Sequence, residues 1–191
     1  MRVIGLTGGI GSGKSKILKI LKAEYQAHII QADEVARQLQ EPGQEGFNKL
    51  VDAFGTTILD AAGMIDRRSL AGLIFDSRSA RETVNAMIHP LTWNQIREQV
   101  QASLADLIVV EAAILDPAAA DIYDELWYVF TDKELRINRL ARTRGYTRER
   151  SLTIMAAQAT DEEFRQAADW VIDNNGSIEE LKKQLQTRLK R

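Results

Sequence analysis

The chain has 191 residues, 25 of them Lys or Arg and 27 Asp or Glu, giving a formal net charge of −2, and it contains no cysteine. A chain of this length buries roughly 70% of its unfolded surface without staples, and its near-balance of charge excludes a global field that would gather nucleic acid. No apolar run approaches the ~18 residues of a membrane span, and MRVIGLTGG leaves no room for a signal peptide before the first motif, so a cytoplasmic protein without membrane or nucleic-acid partners is expected.

The first element is the strand-like run VIGL at 3–6. Residues 6–15 follow as LTGGIGSGKS, with Gly8, Gly13, Lys14 and Ser15 in the spacing G-x-x-x-x-G-K-[ST], and Ile17, Leu18, Leu21 and Tyr25 continue at helical intervals. A glycine loop between strand and helix is a P-loop. Gly8, Gly9, Gly11 and Gly13 free the backbone to reach positive φ and to approach a ligand, so that successive N–H groups converge on phosphate at the positive end of the helix. Lys14 reaches the β and γ phosphates and the Ser15 hydroxyl ligates Mg²⁺. Gly8, Gly9, Gly11, Ser12, Gly13, Lys14, Ser15 and Lys16 are therefore the expected contacts to ATP, with Ser15 the metal ligand.

HII at 28–30 is the second predicted strand, and HIIQAD ends it in a carboxylate. In open α/β sheets the carboxyl ends of strands face the ligand crevice, so Asp33 either accepts a proton from an acceptor hydroxyl or caps the helix EVARQLQ. More than seventy residues with little strand character separate HII from LIVV at 107–110, and FNKLVDAF, RRSLAGLIF, SARETVNAMI and TWNQIREQVQASL read as helices. This is a helical insertion on an α/β core. DAAG at 60–63 imitates a GTPase switch motif but reads as a turn, and His89, ahead of Pro90, reads as a structural residue at a helix end.

Glu111 and Asp116 close or follow LIVV. The fourth strand is LWYVF at 126–130; TDKE after it has the letters of a guanine signature without their order. From Asp132 to Arg150 seven basic residues face three acidic ones, and RLARTRGYTRERSLTIMAAQ reads as helix, glycine turn, helix. This segment is either a solvated face or a lid whose arginines, Arg136, Arg139, Arg142 and Arg144, meet phosphate charge. WVI at 170–172 is the fifth strand, followed by the turn Asn174, Asn175, Gly176 and a last helix whose Ser177 and Glu180 form a capping box. Strands alternating with helices argue for a parallel sheet flanked by helices.

In their order, LTGGIGSGKS, IIQADEVARQL, GMIDRRSLAGLIF, NAMIHPL and DNNGS resemble the dephospho-coenzyme A kinase family over nearly the whole chain. The resemblance implies a P-loop NTPase fold with a five-stranded parallel sheet, and a helical CoA-binding insertion at 39–104. A lid at 139–165 and a core of 1–38, 105–138 and 166–191 complete the division. It implies transfer of the ATP γ phosphate, with Mg²⁺, to the ribose 3′-hydroxyl of dephospho-CoA, in a monomer or weak homo-oligomer. Asp33 falls on the family's base, Arg37 on its acceptor-side arginine and Asn175 on the turn near adenine; Lys14, Arg142 and Arg144 complete the catalytic set. Four positions depart from the family pattern: Gln31 replaces an aspartate, Lys16 a threonine, Ala112 begins a segment lacking the usual proline, and Thr143 stands where the lid arginine aligns. Another small-molecule kinase, or a non-catalytic nucleotide switch, stays open beside the kinase reading.

Overall fold

The computed structural model describes residues 1–190. Five strands form one sheet: β1 (Arg2–Thr7), β2 (His28–Gln31), β3 (Leu107–Glu111), β4 (Glu125–Phe130) and β5 (Trp170–Asp173), in the order β2-β3-β1-β4-β5. All five expected strands are present. The sheet is parallel, with Ile4 opposite Val109, Leu6 opposite Trp127 and Val129 opposite Ile172. Near-continuous burial along β1, β3 and β4 is what a parallel sheet covered on both faces requires.

Alternation along β4 sorts its side chains to two layers. Trp127 and Val129 join Ile4, Leu6 and Val109 in a core closed by Ile17 and Leu21 of α1 (Lys14–Tyr25) and Leu181 and Leu185 of α9 (Ile178–Leu189). Tyr128 points the other way and stacks on fully buried Phe164 of α8 (Asp161–Ala167), with ring centroids 4.9 Å apart. Between these lie α6 (Lys133–Arg144) and α7 (Arg148–Ala156), joined through Gly145 in the left-handed conformation at φ 65°. The helix–turn–helix reading of this segment was correct in outline. It missed α8, whose Thr160 and Glu163 form a second capping box.

Two compact units divide the chain: residues 1–30 with 103–191, and residues 31–102. The second is helical, built from α2 (Ala32–Gln38), α3 (Glu45–Phe54), α4 (Arg67–Asp76) and α5 (Arg78–Ala102) around Leu50, Ile58, Ile65, Leu70, Val84 and Ile88. α2 was expected with the core; it groups with the helical unit because it packs along α5. The two helices expected at 79–88 and 92–104 are the single helix α5, with Pro90 inside it, so His89 does not end a helix. Buried Ala80, Val84, Ile88, Thr92, Ile96 and Val100 recur every fourth residue through the proline. Burial of that stripe outweighs the ~3 kcal/mol an internal proline costs. Among the described residues no helix is long and apolar enough to cross a membrane.

Candidate active site

The site follows from strand order. The chain leaves β1 toward β2 on one side of the sheet and leaves β3 toward β4 on the other. The crevice where such connections diverge is where open α/β sheets bind ligands. The glycine loop after β1 and Glu111 at the end of β3 both lie there, and Lys14 Nζ stands 3.5 Å from Glu111 Oε1 while donating to the Gly8 carbonyl at 2.7 Å. Glu111, 9% exposed, is thus drawn into the crevice with the loop's cation.

Loop geometry departs from expectation at one glycine. Gly8, Gly11 and Gly13 have φ of 147°, 78° and 95°, and Gly13 in that conformation caps α1. Gly9 is absent from the positive-φ set. A Cβ there would lie 2.7 Å from Arg136 Cζ, so Gly9 supplies room, not backbone freedom.

Arg136 and Arg139, considered at the sequence level as phosphate binders, brace the loop from behind. Arg136 is 7% exposed, donates from Nε to the Ile10 carbonyl at 2.9 Å and lies 3.5 Å from Asp161 Oδ1. Asp161 also accepts from the Tyr128 hydroxyl at 2.7 Å; burial first, then this carboxylate, pushes that hydroxyl above the ordinary tyrosine range. The Ser12 carbonyl accepts from Thr131 Oγ1 at 2.9 Å, Asn174 Nδ2 at 2.7 Å and Arg139 Nη1 at 3.3 Å. Arg139 Nη2 reaches the Asn174 carbonyl at 2.8 Å, and burial lowers the pKa of its guanidinium. Asn174, 2% exposed, is therefore a clamp on the loop. Asn175, expected near adenine, accepts the Asp132 N–H at 2.9 Å at the start of α6. Sequence pattern could not disclose this brace, since its partners lie more than a hundred positions from the loop.

The remaining candidates fall as follows. Ser15 and Lys16 are exposed on the first turn of α1, and Arg142, Thr143 and Arg144 on the last turn of α6, where Thr143 donates to the Arg139 carbonyl. Asp33 and Arg37 are exposed on α2; the N-cap of that helix is Gln31, with no side-chain cap bond, so Asp33 does not serve as the cap. Asp116 accepts the Ala118 N–H at 3.0 Å and caps a short 3-10 turn. Asp60 Oδ1 accepts from the N–H groups of Ala62 and Met64, which makes DAAG the turn expected. Ala112 donates its N–H to the Leu6 carbonyl at 3.1 Å, holding the end of β3 beside β1.

The residues present fit a triphosphate with its own divalent cation. The loop is backed so closely that a Cβ at Gly9 or Gly13 would collide with Arg136 or Asn174, and the buried Ser12 Oγ within it has no hydrogen-bond partner among the described residues. Among those residues no cluster of three or more His, Cys, Asp or Glu side chains could hold a metal alone. A magnesium ion here would arrive with the phosphates and meet Ser15, the usual manner of its binding in nucleotide sites.

The family model described as dephospho-CoA kinase matches residues 2–180. The chain belongs to that family. A dephospho-CoA kinase of Carboxydothermus hydrogenoformans is 38% identical over 193 residues, covering 99% of this chain and 93% of that protein. The crystal structure of TT1252 from Thermus thermophilus superposes with a TM-score of 0.85 at 29% identity, covering 99% of this chain and 96% of that one. Shikimate kinase from Acinetobacter baumannii, at TM-score 0.56 and 16% identity over 100% and 94% of the two chains, shares the fold. The sheet of this dephospho-CoA kinase family member is thus a P-loop kinase core.

Proposed function

We propose that the chain phosphorylates the ribose 3′-hydroxyl of dephospho-CoA with ATP, giving CoA and ADP, the last step of CoA synthesis. The observation that carries the reading is Lys14 set between the glycine loop and Glu111 at the sheet's divergence point, in a chain of this family.

Main-chain N–H groups of the loop, other than that of Ile10, which meets Gln158, hold the donor phosphates, and Lys14 leaves the Gly8 carbonyl to meet the β and γ oxygens. Ser15 would hold the Mg²⁺ that comes with the nucleotide, which would supply neutralising charge. The acceptor oxygen bonds to the γ phosphorus as the bond to the β–γ bridging oxygen breaks, and ADP leaves with that electron pair. Asp33 accepts the hydroxyl proton, Arg37 binds the acceptor, Arg142 and Arg144 of the lid meet the charge on the transferring group, and Asn175 adjoins adenine. The expected setting is the cytoplasm, as a monomer or weak homo-oligomer.

Incubation with ATP, Mg²⁺ and dephospho-CoA yields CoA and ADP, read by chromatography against a Lys14→Ala control. Phosphorylation of a nucleoside or shikimate in preference to dephospho-CoA would overturn the acceptor. Nucleotide binding without phosphorylation of any acceptor would overturn the kinase reading in favour of a switch.

A further inference from the structure

Ile10, in the middle of the phosphate loop, is gripped by both of its peptide groups. Its N–H donates to Gln158 Oε1 at 2.8 Å, and its carbonyl accepts from Arg136 Nε at 2.9 Å. The two side chains come from the two roots of the α6–α7 hairpin: Arg136 from the first turn of α6, Gln158 from just beyond the end of α7. They fix different peptide planes. The Ile10 N–H belongs to the Gly9–Ile10 plane and its carbonyl to the Ile10–Gly11 plane, so each grip orients a peptide next to a glycine. Those peptides have the widest choice of orientation in the unbraced chain.

Gln158 stands on firm footing. Its own N–H bonds the Met155 carbonyl at 3.2 Å. Two residues on, Thr160 begins the doubly capped helix α8; Asp161 joins Tyr128 and Arg136, and Phe164 is stacked in the core. Because the Ile10 N–H is taken by protein, it is spent on setting the loop's shape, leaving its neighbours to converge on phosphate.

We infer that Gln158 is a positioning residue for the donor nucleotide: its amide oxygen holds the Gly9–Ile10 peptide in the orientation that phosphate binding requires, tying the C-terminal root of the lid hairpin to the loop. Without that bond the loop spreads over several arrangements, and binding must include the cost of selecting one. This rests on the loop being the ATP site, as proposed above.

The test uses the full-length protein. Gln158→Met keeps the side chain's length and removes the acceptor. A single hydrogen bond lost from preorganisation corresponds to about 3- to 12-fold in affinity. Calorimetric Kd for Mg-ADP and KM for ATP are expected to rise together by that factor, with kcat and KM for dephospho-CoA within twofold of the parent and a melting temperature lowered by no more than about 6 °C. Gln158→Glu keeps an acceptor oxygen. Its ADP affinity should return to within about threefold of the parent at 0.5 M salt, where the added charge is screened. Parental ADP affinity in Gln158→Met overturns the inference, as does a uniform loss of kcat, both KM values and melting temperature, or a Gln158→Glu defect that salt does not relieve. If the parent itself fails to bind ADP, the ATP-site reading has failed, a separate result.

Discussion

Gly9 and Arg136 test the loop's brace as a pair. An alanine Cβ at position 9 would fall 2.7 Å from Arg136 Cζ. That guanidinium cannot swing clear without leaving the Ile10 carbonyl and Asp161, which it meets at 2.9 and 3.5 Å. Gly9→Ala is therefore an overpacking change worth about 1–3 kcal/mol, or about 2–12 °C in Tm for a domain of this size. Arg136→Ala removes a charge-assisted hydrogen bond worth about 1.5–3 kcal/mol. Its ion pair adds at most ~1 kcal/mol, because the Asp161 side chain is 44% exposed. The sum is about 1.5–4 kcal/mol. In the Arg136→Ala background the obstruction is gone, and the backbone at Gly9 asks for no positive φ. Adding Gly9→Ala there should cost under about 0.5 kcal/mol, leaving a coupling of about 0.5–3 kcal/mol between the two sites. Urea denaturation of the four proteins in the cycle measures this directly, and Mg-ADP affinity supplies a second reading. Additivity within about 0.5 kcal/mol would show that Gly9 is required for something other than the room it gives Arg136.

Asp33→Asn should lower kcat by about 10²–10⁴ with KM for ATP unchanged if Asp33 is the base; a steady-state loss under tenfold would remove it from that role. Asn174→Ala should cost about 1 kcal/mol, since the Ser12 carbonyl retains Thr131 and Arg139 as donors, whereas Asn174→Asp sets a carboxylate against that carbonyl and should cost more; equal denaturation midpoints for the two would refute the clamp. Three exposed carboxyls sit below their ordinary range: Asp66 through the Ser69 hydroxyl, Glu134 through Arg148 and Glu163 through the Thr160 N–H. A depressed folded pKa gives stability that is present above the unfolded value of 4.5 for glutamate and is lost as pH falls through the folded one. Thermal melts should accordingly decline below about pH 4.5, and Glu163→Gln, which keeps an acceptor for Thr160 but does not titrate, should flatten that decline.

Strand positions, the phosphate loop and the Ser177–Glu180 capping box were legible because each is written in neighbouring residues: a period, a spacing or a turn chemistry. The break at Pro90 was misread for the same reason. Locally a proline ends a helix, and only the buried stripe from Ala80 to Val100 shows why this one does not. α8 was overlooked although T-x-x-E at 160–163 carries the same signal as the capping box at 177–180. The basic run of 133–150 could be assigned no single fate from sequence, and the structure divides it. Arg136 and Arg139 turn inward to the loop's carbonyls, Arg148 pairs with Glu134 on the surface, and Arg142 and Arg144 stay exposed.

The amino-acid order by itself determined that a triphosphate loop joins a strand to a helix, that a sheet of five strands carries it and that a helical segment interrupts the core. Which groups hold the loop in shape was decided only when α6, the turn after β5 and the segment before α8 came to lie against it. Backbone carbonyls such as those of Ile10 and Ser12 have no signature in sequence. The donors that must satisfy them are named by proximity in space, and proximity between residues 10 and 136 is a property of the packed chain alone.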